Sequence, residues 1–435
     1  PAGPPRAPCP GRRPRVSSAL VAPALPDDGV AFARRHVRHN VVALAADFGL
    51  FLVGLSFVSQ STVLPAFAGQ LGASNLVIGA IPALMTLGWN LPSLFAAGYT
   101  ESLAHKLPFV LRYTVWERVP LLLLAAVALF VASPARAVAL GLLLSMLLLM
   151  TSAGGLLMPA WMDIVGRTVP TTLRGRFFAV SNLLGGLGGL LGSVLTTWIL
   201  ARLPATDGYA ICFLVSALFM GLSYVALSLV REPSTHSDGV AAPPLGVYLR
   251  RVGRVLQGDR NLAWFLLARA LNSDGMMATG FFTVHALRSF DAPDWAVGVF
   301  TTALIAGQMA GNLVLGVVAD RVGHLVSLTI GLGALLLANL AALVAPTLEV
   351  FLVVFLLQGV QSAAISVSGL NVLLEFAPGP AAPPTYVGLG TTLLTPVAFG
   401  APLIAGMMAD AFGFWAVFAT AAVGAMVPLA LLTVR

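Results

Sequence analysis

Twelve long apolar stretches set what this chain can become: 41–66, 75–98, 108–132, 136–160, 177–201, 209–230, 261–284, 294–318, 324–345, 348–376, 386–409 and 413–433. Each is near the ~20 residues that a helix needs to cross about 30 Å of hydrocarbon. The runs are continuous rather than alternating, which excludes a membrane β-barrel. Hydrophobic residues make up 58% of the chain and charged residues 9%, where a soluble domain carries about 25% charge. With a mean hydropathy of +0.91, too little polar surface exists to clothe a globule in water. A bilayer removes that demand and leaves helices to satisfy the backbone. The expected class is therefore an all-α membrane protein of about 12 transmembrane helices, with lipid as its main surroundings.

The connections are short except for 231–260, which divides the chain into an N-terminal six-helix bundle (40–230) and a C-terminal one (261–435). This linker carries Arg231, Glu232, Arg250, Arg251, Arg254 and Arg260. Its second part reads as a basic helix lying on the membrane surface. Residues 1–39 are rich in Pro, Arg and Ala and are expected to form a disordered basic tail. The net charge of +7 rests on 23 arginines and Lys106. Only Arg136, Arg202 and Arg288 fall in the loops of one side, and only Arg118 and Arg269 within spans. The rest fall on the other side, which places both termini in the cytoplasm and explains the charge by topology rather than by nucleic acid. The Arg-over-Lys bias suggests a GC-rich genome and a bacterial inner (plasma) membrane.

Cys9 and Cys212 form no disulfide framework or metal spacing, so no cofactor is expected. A phosphate loop needs Gly-Lys followed by Ser or Thr. The sole lysine, Lys106, stands between His105 and Leu107, so no ATPase domain lies on this chain. No histidine lies deep in a span, and no paired catalytic set points to an enzyme. A membrane-embedded enzyme and a non-transporting sensor or scaffold are the alternative classes.

Three stretches resemble signatures of the major facilitator superfamily. Gly316-Val317-Val318-Ala319-Asp320-Arg321-Val322-Gly323, after span eight, resembles that family's G-x-x-x-D-R-x-G stretch. Pro170-Thr171-Thr172-Leu173-Arg174-Gly175, after span four, resembles its P-x-x-x-R-G stretch. Gly406-Met407-Met408-Ala409-Asp410-Ala411-Phe412-Gly413, after span eleven, echoes the first pattern more weakly. The loop after span two departs from it, with Glu101 where the family has Asp and no arginine following. Span five lacks the proline of the family's antiporter pattern. The resemblance implies two rocking halves around a midplane site, with spans one, seven and ten lining the cavity. It also implies a gate at Gly316, Asp320, Arg321 and Gly323, with Arg174 as a further gating candidate. The implied activity is secondary transport of a small solute by alternating access, with protons as the expected driving ion.

Charge inside a span costs about 2.5–3.5 kcal/mol at the helix centre and so calls for a purpose. Asp274 stands mid-span in span seven, with Arg269, Asn272 and Ser273 forming a polar stripe beside it. These four are candidates for solute binding or proton coupling in a cavity. Gln60 in span one, near Ser56 and Ser59, and Gln358 and Gln361 in span ten join them. Asp47, Glu117 and Arg118 are candidates for a buried ion network, with proton relay as the alternative for Asp47. Uncharged stripes at Thr86, Asn90 and Ser93, and at Thr301, Gln308 and Asn312, suit helix contacts or a hydrated path. Gly185, Gly188 and Gly192 in span five provide a smooth helix-packing face.

Overall fold

The computed structural model describes residues 27–101, 103–233, 260–369, 371–375 and 393–433. All regular structure among them is helical. Eleven of the helical segments are long and apolar enough to cross a membrane. The remaining crossing is span seven, built from two shorter helices, Arg260–Gly275 and Thr279–Ser289. The chain is a multi-pass membrane protein.

The linker from 234 to 259 and tail residues 1–26 lie outside the described residues. The expected disorder of 1–39 fails for 27–39, because the first helix runs Asp27–Ser56. That helix also stops earlier than its apolar run, and span one resumes as Val63–Gln70. Pro65 supplies the reason. It has no N–H to give Ser61, and the Ser61 carbonyl instead accepts from the Thr283 hydroxyl at 2.7 Å.

The two sets of six helices repeat one packing plan. Span two lies on four as eight lies on ten; span one lies on six as seven lies on twelve; three lies on six as nine lies on twelve. Between the sets, span two packs on eleven and span five on eight. These cross-half seams need very small residues. A Cβ at Gly79 would come within 2.2 Å of the Pro402 carbonyl oxygen, and one at Gly298 within 2.4 Å of the Thr197 backbone nitrogen. The glycine face foreseen in span five serves a different contact. Gly185, Gly188 and Gly192 admit Leu52, Val53 and Phe57 of span one, within the same half. Contact with span eight falls to Gly186 and Gly189, against Met309 and Ile305.

Candidate functional site

A cavity of about 450 Å³ lies between the halves. Its walls come from the interrupted part of span one (Ser56, Ser59, Gln60, Ser61), from span five (Asn182) and span two (Met85, Trp89). Span eight adds Thr301, Gln308 and Asn312, and span ten adds Ser362. No Asp, Glu, Lys, Arg or His is among the lining residues. Hydroxyls and amides can each both donate and accept, so the cavity offers hydrogen bonds without fixed charge. Spans one and seven are both interrupted, at 57–62 and 276–278. Only the break in span one lines this cavity; Met277 of the span-seven break lines a separate crevice.

Cross-half hydrogen bonds cluster at one end of this cavity. Thr62 meets Thr301 at 2.7 Å, Ser193 meets Thr302 at 2.8 Å, and Gln70 donates to Asp294 at 2.6 Å. The Asp410 carboxylate of span eleven accepts from the backbone N–H groups of Asn75 and Leu76, each at 3.0 Å. It thereby caps the N-terminal end of span two from the opposite half, where orphan N–H groups and the helix dipole favour an anion. Arg288 donates to Asn75 at 3.1 Å beside it. The weak echo of the family motif after span eleven thus holds a residue with a definite partner.

The motif residues at the other end look different. Asp320 and Arg321 are exposed at the end of span eight. Gly323 ends that helix with φ of 119°, a conformation that side chains rarely adopt. Open space surrounds Gly316. Arg174 donates to the carbonyls of Val169 and Gly166, tying down the end of span four within its own half. Where the loop after span two departs from the family, Lys106 is buried and ion-paired with Asp163. The Glu232 carboxylate, just past span six, accepts from the N–H groups of Lys106 and Leu107 at 2.9 and 2.8 Å. Neither Asp163 nor Glu232 stood out in the sequence, because polar residues at span ends are ordinary.

The candidate ion network is assembled in the first half. Arg118 of span three lies 3.9 Å from Asp47 of span one and 3.4 Å from Glu117. Its remaining donors go to the Met220 carbonyl at 2.8 Å, the Ser223 hydroxyl at 3.0 Å and Thr114. Asp47 accepts from Ser223 at 2.6 Å and, on its other oxygen, from the Trp161 indole at 2.9 Å. Both Asp47 oxygens therefore have donors. In Glu117, Oε2 accepts from Thr114 at 3.1 Å. Oε1 faces Gly154 of span four, where a Cβ would come within 2.6 Å of it and of the Trp89 ring. A cavity of about 80 Å³ runs along this cluster, and Trp89 lines it as well as the central cavity. Asp47, Glu117 and Arg118 stand together as the sequence suggests, while their further partners Thr114, Trp161, Met220 and Ser223 carried no signal in it.

The second half corrects the expected coupling stripe. Of Asp274, Arg269, Asn272, Ser273, Gln60, Gln358 and Gln361, only Gln60 lines the central cavity. Arg269 donates to the Gly369 carbonyl at 3.0 Å, and the Asn272 amide oxygen accepts from Gln361 at 3.0 Å. Arg269, Asn272 and Gln361 edge a small interior gap among spans seven, nine, ten and twelve. The Ser273 hydroxyl donates to the Arg269 carbonyl at 3.3 Å, and Gln358 is buried. Asp274 lines a separate crevice with residues of spans eleven and twelve. The stripe faces its own bundle because an amide in hydrocarbon gains most from another amide at hand.

No family model matches the chain, and no curated protein matches it. Solved structures do resemble it throughout. A mutant of the nucleoside transporter NupG superposes with a TM-score of 0.69 at 12% identity, covering 91% of this chain and 99% of its own. A POT family transporter in complex with 5-aminolevulinic acid gives 0.70 at 13% identity, covering 91% and 95%. A D-xylose-proton symporter gives 0.63 at 14% identity, covering 89% and 96%. The chain thus shares the fold of these transporters.

Proposed function

We propose that this chain is a proton-coupled secondary transporter for a small, net-neutral, hydrogen-bonding solute. One observation carries the proposal. Trp89 forms a shared wall between an uncharged polar cavity and a buried cluster with two carboxylates and one guanidinium. An uncompensated charge in so dry a place is costly. A proton on one carboxylate restores neutrality, and its gain or loss changes the packing against Trp89. Asp47 has donors on both oxygens, so it serves as the fixed anion for Arg118. Glu117, with Oε1 turned to Gly154 and Trp89, serves as the proton carrier. The coupling role first considered for Asp274 moves to this cluster.

The solute binds Gln60, Gln308, Asn312 and nearby hydroxyls. Similar structures belong to transporters of nucleosides and of D-xylose, and both solute classes suit a lining without charge. The halves 40–230 and 261–435 rock about the site, and both termini lie in the cytoplasm of a cell with this protein in its plasma membrane. The end sealed by Asp410 and Arg288 then faces outward. Asp320, Arg321 and Arg174 act at the inner end, where the opposite state must be held.

The test begins with a thermal-shift screen of neutral nucleosides and sugars, since a ligand stabilises the state that it binds. The hit is then assayed in proteoliposomes under an imposed pH gradient. Glu117→Gln is expected to abolish gradient-driven accumulation while keeping solute exchange at zero gradient. Accumulation by Glu117→Gln at the normal level would end the coupling assignment.

A further inference from the structure

We infer that the crevice between spans seven, eleven and twelve is a lipid-side binding site for an organic cation with an alkyl tail. The crevice holds about 330 Å³. Two of its lining residues, Ile404 and Val423, are each about half exposed, on helices apolar enough to cross a membrane. Its walls are aliphatic, apart from the hydroxyl of Thr420 and the carboxylate of Asp274. Asp274 lies mid-way along span seven, and the helix breaks directly after it at Gly275. The first half offers no counterpart: there span five closes on span one through Gly185 and Gly188. Span twelve reaches the site only because residue 424 is glycine, where a Cβ would lie 3.1 Å from the Cβ of Asp274.

The chemistry of these walls selects the ligand class. A carboxylate at this depth attracts a cation strongly, because hydrocarbon screens charge poorly. An inorganic cation would need several oxygen ligands, and the lining supplies one carboxylate and one hydroxyl. A bare proton would leave the long aliphatic slot without a purpose. An ammonium headgroup paired with Asp274 and an alkyl tail against Met408, Ile404 and Val423 satisfies both features. Such a ligand enters sideways from the bilayer and never crosses the central cavity.

The inference is independent of the Glu117 assignment, and the experiment keeps the two apart. Tritiated dodecyltrimethylammonium is bound to the full-length protein in zwitterionic nanodiscs, with empty nanodiscs as the partition control. Saturable binding is expected, weakened at least tenfold by Asp274→Asn and retained within about threefold by Asp274→Glu. Val423→Trp, which narrows the mouth without touching the charge, is expected to weaken it as well. Dodecyl maltoside, with the same tail and no charge, should compete poorly. Glu117→Gln should leave the binding unchanged. Equal binding by wild type and Asp274→Asn, or partition alone in both, would overturn the site. A folded Asp274→Asn protein is verified by its elution profile and melting.

Discussion

The two halves share one packing plan yet treat their mid-span carboxylates in opposite ways. In the first half, Asp47 and Glu117 are enclosed with Arg118, two hydroxyls and an indole. In the second half, Asp274 stands in an apolar crevice, while Arg269 donates to the Gly369 carbonyl. Insertion cost is similar for any mid-span aspartate. What differs is how the surroundings repay it. The enclosed carboxylates are stabilised by Arg118 and by neighbouring donors. The crevice carboxylate has room for a visitor. The comparison teaches that a mid-span acid reveals its role through its neighbours and not through its depth.

Substitutions can break or sharpen that contrast. The largest effect is expected from Arg118→Gln, which leaves two carboxylates enclosed without their cation. Losing one member of such a pair costs roughly 3–5 kcal/mol, read as a fall in thermal unfolding temperature in detergent. Raising the acidity of the buffer should recover part of that loss, because protonating the carboxylates removes the stranded charge. No recovery would mean that the cluster is held by packing alone. Asp47→Asn comes next, at about 1–3 kcal/mol, since an amide cannot accept on both positions from Trp161 and Ser223. Asp410→Ala should cost about 1 kcal/mol, the value of a helix N-cap. Its main consequence is a roughly fivefold shift of population toward opening at the sealed end, measured by distance labels across spans two and eleven. Asp274→Asn breaks no ion pair and removes a mid-span charge, so it should leave stability unchanged or raise it. A loss of several kcal/mol there would erase the distinction between the halves.

Much of the architecture was legible in the residues. Twelve apolar runs and one long polar linker anticipate two six-span bundles, because hydrocarbon imposes a length that sequence displays directly. Two helix breaks could also have been read. Pro65 stands four positions after Ser61, and Gly275 follows the polar trio Asn272, Ser273 and Asp274, a common way to end a helix. Asp47, Glu117 and Arg118 could be grouped as one candidate network, but the geometry that joins charged residues could not be read. Asp47 meets Arg118 only because spans one, three and six converge, and Asp410 meets the start of span two only across the seam between halves. The stripe in span seven misled because polar residues at helical spacing mark a wet face and an amide-paired face alike. Asn272 and Gln361 turned out to be the second kind.

The interruptions in spans one and seven leave two short helices, Val63–Gln70 and Thr279–Ser289, joined to each other through Thr283 and Ser61. Their other faces are apolar and buried: Val63, Leu64 and Phe67 of the first and Phe281, Phe282 and Val284 of the second belong to the largest core. Opening at that face therefore means unpacking these side chains as well as parting the hydroxyls.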